Sequence, residues 1–271
     1  MSNQGEFNYV HRAGRSKKRR GKNGLGTPIS FSDSLRSTRE GLMSSGWWDT
    51  YHAEVVPAIV QARRSVLNKQ RVNIGQMNAE ACDLGLRSLC LGLGSPTKSA
   101  ESRAQLCVLL DLCTELEIVE ADVEIFDPAF EEQDILALRD LGLCVLNENK
   151  KGAHVIDMPT LVYMPHCGIG LYERFFRANW SGEGMGRIIL VANDMTTYIE
   201  SKPMRTLEFK TPCVARIAPR LCSTLFPPSS KFPGAFNNTA LQIFEDNDEY
   251  IWSLAGLPEY SDEHGDDGEV R

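Results

Sequence analysis

The sequence predicts an α/β fold: a Rossmann-like, mostly parallel sheet with helices on both faces and a C-terminal antiparallel addition. Three observations predict it. Short apolar runs bounded by Gly, Pro or Asp alternate repeatedly with longer segments whose apolar residues recur at helical spacing, and such strand-then-helix units favour parallel sheets with right-handed crossovers. The first run, Leu89-Cys90-Leu91, ends in Gly92-Leu93-Gly94-Ser95, the glycine-bearing bend expected where a buried strand turns sharply into a helix. Beyond about residue 210 the pattern changes to Pro-rich segments and shorter apolar runs, which read as an antiparallel edge.

The totals set bounds. With 271 residues, 42% hydrophobic and 24% charged, the composition is that of an ordinary globular chain with one large domain and appendages. No apolar run approaches the roughly 20 residues of a membrane helix, and the polar N-terminus lacks the apolar centre of a secretory signal. An intracellular protein with no membrane partner is expected. Charge is uneven: seven basic residues against Glu6 give residues 1–22 a charge of +6, which leaves −13 on the rest of a chain whose net charge is −7. An acidic body is a poor surface for nucleic acid, because affinity there rests on neutralising phosphates. The eight cysteines (Cys82, Cys90, Cys107, Cys113, Cys144, Cys167, Cys213 and Cys222) include no Cys-x-x-Cys pair. Reduced, buried thiols are expected, and no metal site is assigned because ligand spacing is absent.

Taken in order, residues 1–40 read as a disordered basic arm, with too few large apolar residues to offset the entropy of ordering. Its run Lys17-Lys18-Arg19-Arg20 fits a nuclear-localisation signal, a weak contact for nucleic acid or an acidic partner, or a solvated basic tail with no partner. Residues 41–80 read as an N-terminal helical segment, on Tyr51, Val55, Ile59, Ala62 and Val66 at helical spacing, with Ser44 or Ser45 as cap and Pro57 as a kink or the true start. Trp47 and Trp48 suit apolar cover for the sheet or an anchor for a partner.

Residues 81–258 form the α/β domain. After the glycine bend, Leu106, Leu109, Leu110, Cys113 and Leu116 make one helix face beginning near Ser99. Val123–Phe126 is a strand ended by Asp127-Pro128. A helix carrying Ile135, Leu138 and Leu141 stops at Gly142. Cys144–Leu146 is a short strand, and Thr160–Met164 another, ended by Pro165-His166-Cys167-Gly168. Leu171, Tyr172, Phe175, Phe176 and Trp180 then make a bulky helix face, and Arg187–Val191 is a buried strand ending at Asn193-Asp194. Pro212–Pro219 and Ala240–Phe244 read as two late strands joined by a Pro/Ser-rich loop. Residues 259–271 are an acidic tail.

In an open parallel sheet, ligands bind beyond the carboxyl ends of the strands, near the point where the strand order reverses. That rule gathers Gly92, Gly94, Ser95, Asp127, His166, Cys167, Asn193 and Asp194 on one rim. Glycines lack a Cβ, so backbone N–H groups can approach a phosphate or carboxylate closely; an ordinary tight turn uses a glycine pair equally well. Gly92, Gly94, Ser95, Asp127 and Asn193 are therefore the candidate cofactor-binding residues. Asp127 can accept from a ribose, although it lies 33 residues past Gly94 instead of the roughly 20 of the usual fingerprint, or it can cap a helix with Pro128 in the first turn. Asn193 also suits a turn. His166 is the candidate catalytic residue, as general base or hydrogen-bonding group, against a histidine satisfied by backbone. Cys167 beside it does not make a nucleophile pair, since neighbouring side chains diverge. No metalloprotease His pair, full phosphate-loop signature or serine elbow occurs.

Leu91-Gly92-Leu93-Gly94-Ser95, Gln105-Leu106, Phe126-Asp127-Pro128, Tyr163-Met164-Pro165-His166-Cys167, Asn179-Trp180 and Asn193-Asp194 together resemble, in this order, the sensitivity-to-red-light-reduced (SRR-like) family. Ala235-Phe236-Asn237-Asn238-Thr239 and Phe244 resemble its closing segment. The likeness spans about residues 85–245. It implies a eukaryotic regulatory protein, with relatives linked to circadian rhythm and light responses in plants, to haem-biosynthesis regulation and clock-gene expression in animals, and to microtubule-drug sensitivity in yeast. It implies no established reaction and assigns the motifs no catalytic role; the cofactor stays unknown.

Three functional readings remain open. One is a regulatory α/β protein of cytoplasm and nucleus, with unidentified protein partners and a small nucleotide-like ligand as input. Another is an enzyme holding a nucleotide-derived cofactor such as S-adenosylmethionine on the Gly92–Ser95 bend and Asp127, with His166 beside the substrate. The third is a structural interaction module using Trp47, Trp48 and the sheet edge.

Overall fold

The computed structural model describes residues 30–74 and 85–244; the basic run, Cys82 and the acidic tail lie outside them. Helix α1 (Phe31–Ser44) opens the described chain and α2 (Trp47–Ile74) follows. Then come β1 (Arg87–Leu91), α3 (Ala100–Glu115), β2 (Val123–Phe126), α4 (Glu132–Asp140), β3 (Cys144–Val145), β4 (Thr160–Met164), α5 (Ile169–Ala178), the single turn α6 (Gly182–Met185) and β5 (Ile188–Asn193). Three short helices, α7 (Thr196–Ser201), α8 (Met204–Lys210) and α9 (Pro212–Ile217), lead to β6 (Leu221–Leu225) and β7 (Thr239–Phe244).

The seven strands make one sheet in the order β3-β2-β1-β4-β5-β7-β6. β1, β2, β3, β4 and β5 are mutually parallel, while β7 runs antiparallel to both β5 and β6. The strand order reverses between β1 and β4. Period-two side chains divide the core: Cys90, Leu161, Tyr163, Ile189 and Val191 pack beneath α1, α2 and α3. Leu89, Val162, Met164, Leu190 and Ala192 pack beneath α5 and α9. Both faces of β4 and β5 are thus covered, as continuous apolar strands require.

Helix α1 includes residues 31–40, expected as part of a disordered arm. Ser30 accepts a hydrogen bond from the N–H of Asp33, and Leu35, Thr38 and Leu42 find cover against neighbouring helices. Ser44 and Ser45 close this helix and do not start the next; Gly46, at φ +71°, makes the break. Pro57 sits within α2 and neither starts nor ends it. Trp47 and Trp48 are apolar cover: they are 4% and 8% exposed, Trp47 stacks on Phe236 at 4.4 Å, and its indole donates to the Pro227 carbonyl at 2.6 Å.

The Pro212–Pro219 strand expectation is corrected to helix α9 and a 3₁₀ turn. Pro212 takes the first helical turn, where its missing N–H costs nothing, and the fully buried Glu173 accepts from the N–H groups of Cys213 and Val214 at 2.9 and 3.0 Å. The late strand before β7 is instead β6, whose pattern is largely solvent-facing. Gly142, at φ +85°, ends α4 as expected: its N–H reaches Arg139 and that of Leu143 reaches Leu138, a Schellman closure. Trp180 lies just past α5, not on its face.

Candidate functional site: the carboxyl rim of the sheet

The carboxyl ends of β1, β2, β4 and β5 lie along one edge because the four strands are parallel. At the reversal between β1 and β4, Gly92 adopts φ +76° and faces Cys167; a Cβ on Gly92 would stand 2.4 Å from Cys167 Sγ. The thiol is 6% exposed and donates to the Leu91 carbonyl at 3.4 Å. Where topology favours a crevice, a side chain of the neighbouring strand-end loop is packed in.

The glycine bend has its own carboxylates. Gly94, at φ +73°, donates its N–H to Asp127 Oδ2 at 2.7 Å, and Ala129 N–H donates to Oδ1 at 2.7 Å. Asp127 is 3% exposed. It does not cap a helix, since α4 starts at Glu132. The carboxylate bridges β2 to the β1 bend. Ser95 Oγ, Thr97 N and Thr97 Oγ all donate to Asp134 Oδ1 at 2.8, 3.0 and 2.6 Å, and Glu131 N donates to Oδ2 at 3.0 Å. Burial alone raises the Asp134 carboxyl, but the Thr97 hydroxyl, the two N–H donors and Ser95 outweigh it and hold it below the ordinary carboxylate range. Arg103 donates to the Pro96 carbonyl at 3.0 Å and fastens the same loop.

On the β4–β5 side, His166 has φ +53°, unusual for a residue with a Cβ. Its N–H donates to Asn193 Oδ1 at 2.8 Å. Asn193 Nδ2 donates to Tyr198 Oη at 3.0 Å and the Cys167 carbonyl at 3.3 Å, while Asn193 N–H donates to Tyr172 Oη at 3.2 Å. Tyr172 in turn donates to Met164 O at 2.7 Å, and Gln242 donates to Asn193 O at 2.9 Å. The His166 ring is exposed. Its Nε2 donates to the Ala235 carbonyl at 3.0 Å, which also receives Gln105 Nε2 at 3.0 Å. Asp194 receives the N–H and hydroxyl of Thr196 at 3.1 and 2.7 Å and starts α7.

The structure therefore brings together Gly92 with Cys167, Gly94 and Asp127, and His166 with Asn193, all on one rim. It turns the His166 ring outward and Cys167 inward, so the two form no nucleophile pair. Sequence reasoning missed Asp134, Tyr172 and Gln242. A signal existed for the first: Asp134 lies three residues after Glu131, the acidic spacing of a helix start. Asn179 and Trp180 belong elsewhere, in a groove of about 480 Å³ with Val155, Ile156, Arg177 and Arg187, before β4 and β5 and hence at the opposite edge. There Asn179 Oδ1 accepts from Ile156 N–H at 2.7 Å, and Nδ2 donates to the carbonyls of His154 and Phe175.

A doubly wound α/β sheet with an internally bonded carboxyl rim is the class that fold and site define. Residues 64–243 match the SRR1 domain, and the chain belongs to that family. The match starts within α2, N-terminal to the stretch carrying the sequence resemblance. The chain is 29% identical over 142 residues to an SRR1-like protein of Mus musculus, covering 52% of this chain and 57% of that protein. It is 31% identical over 115 residues to Protein SENSITIVITY TO RED LIGHT REDUCED 1 of Arabidopsis thaliana, covering 42% of each, and 27% identical over 173 residues to an SRR1-like protein of Drosophila melanogaster, covering 62% and 60%. The chain thus spans about half the length of the curated relatives it matches. No solved structure matches it significantly. No helix among the described residues is long and apolar enough to cross a membrane.

Proposed function

We propose that this chain is a regulatory protein of the cytoplasm and nucleus that works by recognition at its carboxyl rim, in the circadian, light-response and haem-biosynthesis control that its sequence resemblance implies. One observation carries the reading: the donors and acceptors that a turnover site would turn toward a substrate are spent on internal bonds, from Gly94 to Asp127 and from His166 to Asn193. The exposed imidazole of His166 is the chemical group the rim presents to a protein partner. A small nucleotide-like ligand acts as an input by engaging Gly92, Gly94, Ser95, Asp127 and Asn193, which requires opening the Asp127–Gly94 bond. The Arabidopsis relative's name refers to red-light sensitivity, in keeping with a signalling role.

The test uses cells lacking the chain, resupplied with the parent or with His166→Asn, a replacement that tolerates the left-handed backbone. The parent restores rhythmic reporter output and the haem-biosynthetic transcript level; the folded variant does not. Equal rescue by both would remove the rim from the function. Alanine at Lys17, Lys18, Arg19 and Arg20 lowers the nuclear fraction, and an unchanged distribution would end the nuclear part.

A second reading, an S-adenosylmethionine-dependent enzyme, is favoured by the reversal of strand order at β1 and β4 with an acidic residue directly after β2. Fold alone is weak support for an activity. A saturable rise in thermal midpoint with S-adenosylmethionine, lost in Asp127→Asn, would replace the first reading; a ligand at 100 times its Kd stabilises by about 2.7 kcal/mol.

A further inference from the structure

Away from the rim, the packing of α2 on α3 brings together three side chains of metal-binding type. Asp111 and Glu115 stand four residues apart on α3 and so share a face, and His52 meets them from α2. One ligand atom from each lies within 4.8 Å of the others. The Asp111 side chain is 7% exposed, and its Oδ2 lies 3.2 Å from His52 Nε2. Neither atom has a hydrogen-bond partner, and neither does the buried hydroxyl of the adjacent Tyr51. The Asp111 carboxylate thus faces two buried polar atoms, pairing with His52 only when that imidazole is protonated.

We propose that His52, Asp111 and Glu115 bind a divalent transition-metal ion. Two ligands at about 2.05 Å from a tetrahedral centre stand about 3.4 Å apart, close to the 3.2 Å between Nε2 and Oδ2. That edge is already formed, and Glu115, only half-buried, closes the third position by rotating. One imidazole and two carboxylates suit Zn²⁺ or a neighbouring first-row ion. They offer too few oxygens for Ca²⁺ and no thiolate for Cu(I). Arg39, 3.8 Å from Asp111 Oδ1 and stacked over Trp48 at 5.6 Å, balances the second carboxylate oxygen and leaves Oδ2 for the ion. The bound ion would tie α2 to α3, and the half-exposed His52 and Glu115 leave a coordination position open to water.

The full chain, stripped with a chelator, is titrated with Zn²⁺ by calorimetry and with Co²⁺ by visible absorption. The parent takes up one equivalent with a rise in thermal midpoint. Co²⁺ gives d–d bands and quenches the fluorescence of Trp48, whose ring lies 5.1 Å from that of His52. Glu115→Gln, on a partly exposed site, and His52→Gln each weaken Zn²⁺ by at least about tenfold while the chain stays folded by circular dichroism. If the parent binds no Zn²⁺, or if both variants keep its full affinity, the three residues form an ion cluster only and the proposal fails.

Discussion

Gly92→Ala tests whether the reversal point of the sheet is sealed by Cys167. The added Cβ brings two costs. At φ +76° an L-residue loses about 1–2 kcal/mol relative to glycine. The methyl would also stand 2.4 Å from a buried Sγ, and overpacking of that kind costs about 1–3 kcal/mol. The sum, about 2–5 kcal/mol, is a large part of the about 5–15 kcal/mol that holds a domain. Urea unfolding should show the midpoint falling by about 0.7–2.5 M at unchanged slope, for a slope of about 2–3 kcal/mol/M. Cys167→Ala removes the obstacle but not the dihedral strain, so the double variant should recover about 1–3 kcal/mol of the Gly92→Ala loss. If the two changes add to within about 0.5 kcal/mol, as uncoupled sites do, the two residues do not meet and the rim is open there.

Asp134→Ala strips four donors of a buried acceptor and should cost about 2–4 kcal/mol at pH 7. Because the folded carboxyl is held low, its stabilisation is fully present above the unfolded value of about 3.9 and fades as pH falls through the folded value; parent and variant curves that stay parallel to pH 2 would contradict this. His154 is 6% exposed, and burial, then Lys150, lower its imidazole below the ordinary value. Its contribution is complete above about pH 6.5 and is lost as pH falls through the lower folded value, so His154→Gln should flatten the stability profile between pH 7 and 5. Cys144 and Cys222, expected as buried thiols, are exposed and should react with a maleimide in the native state well before buried Cys107 and Cys113, whose thiols burial raises to about 12; mass mapping of adducts against time decides, and early modification of Cys107 or Cys113 would contradict the packing.

The parts of the fold that were legible share a cause. β4 and β5 are buried at every position, so burial on two faces wrote itself as unbroken apolar runs, and the Schellman glycine of α4 is a local signal. The failures are tertiary. Pro212–Ile217 is too short for apolar periodicity to separate helix from strand, and a carboxylate 40 residues upstream settles it. α1 buries only Thr38, Gly41 and Leu42, a face too narrow to stand out among serines and arginines. At the rim, topology told which residues meet, but not who bonds whom: Asp127 has the local signature of a cap, and Gly94 claims it from another strand.

That bond also fixes what chemistry the bend can accept. Glycine loops hold phosphates when their N–H groups face outward with no competing charge. Here the N–H of Gly94 faces a buried carboxylate at 2.7 Å, and Asp134 holds the hydroxyls and N–H of the next turn. An incoming anion would have to displace one carboxylate and remain near both, in surroundings where water screens little. A ligand that brings donors instead, such as ribose hydroxyls or a cationic centre, can bond Asp127 without that repulsion. Inorganic phosphate should therefore leave the thermal midpoint where sodium chloride of equal ionic strength leaves it. A saturable phosphate-specific rise would show that the Asp127 latch opens to anions after all.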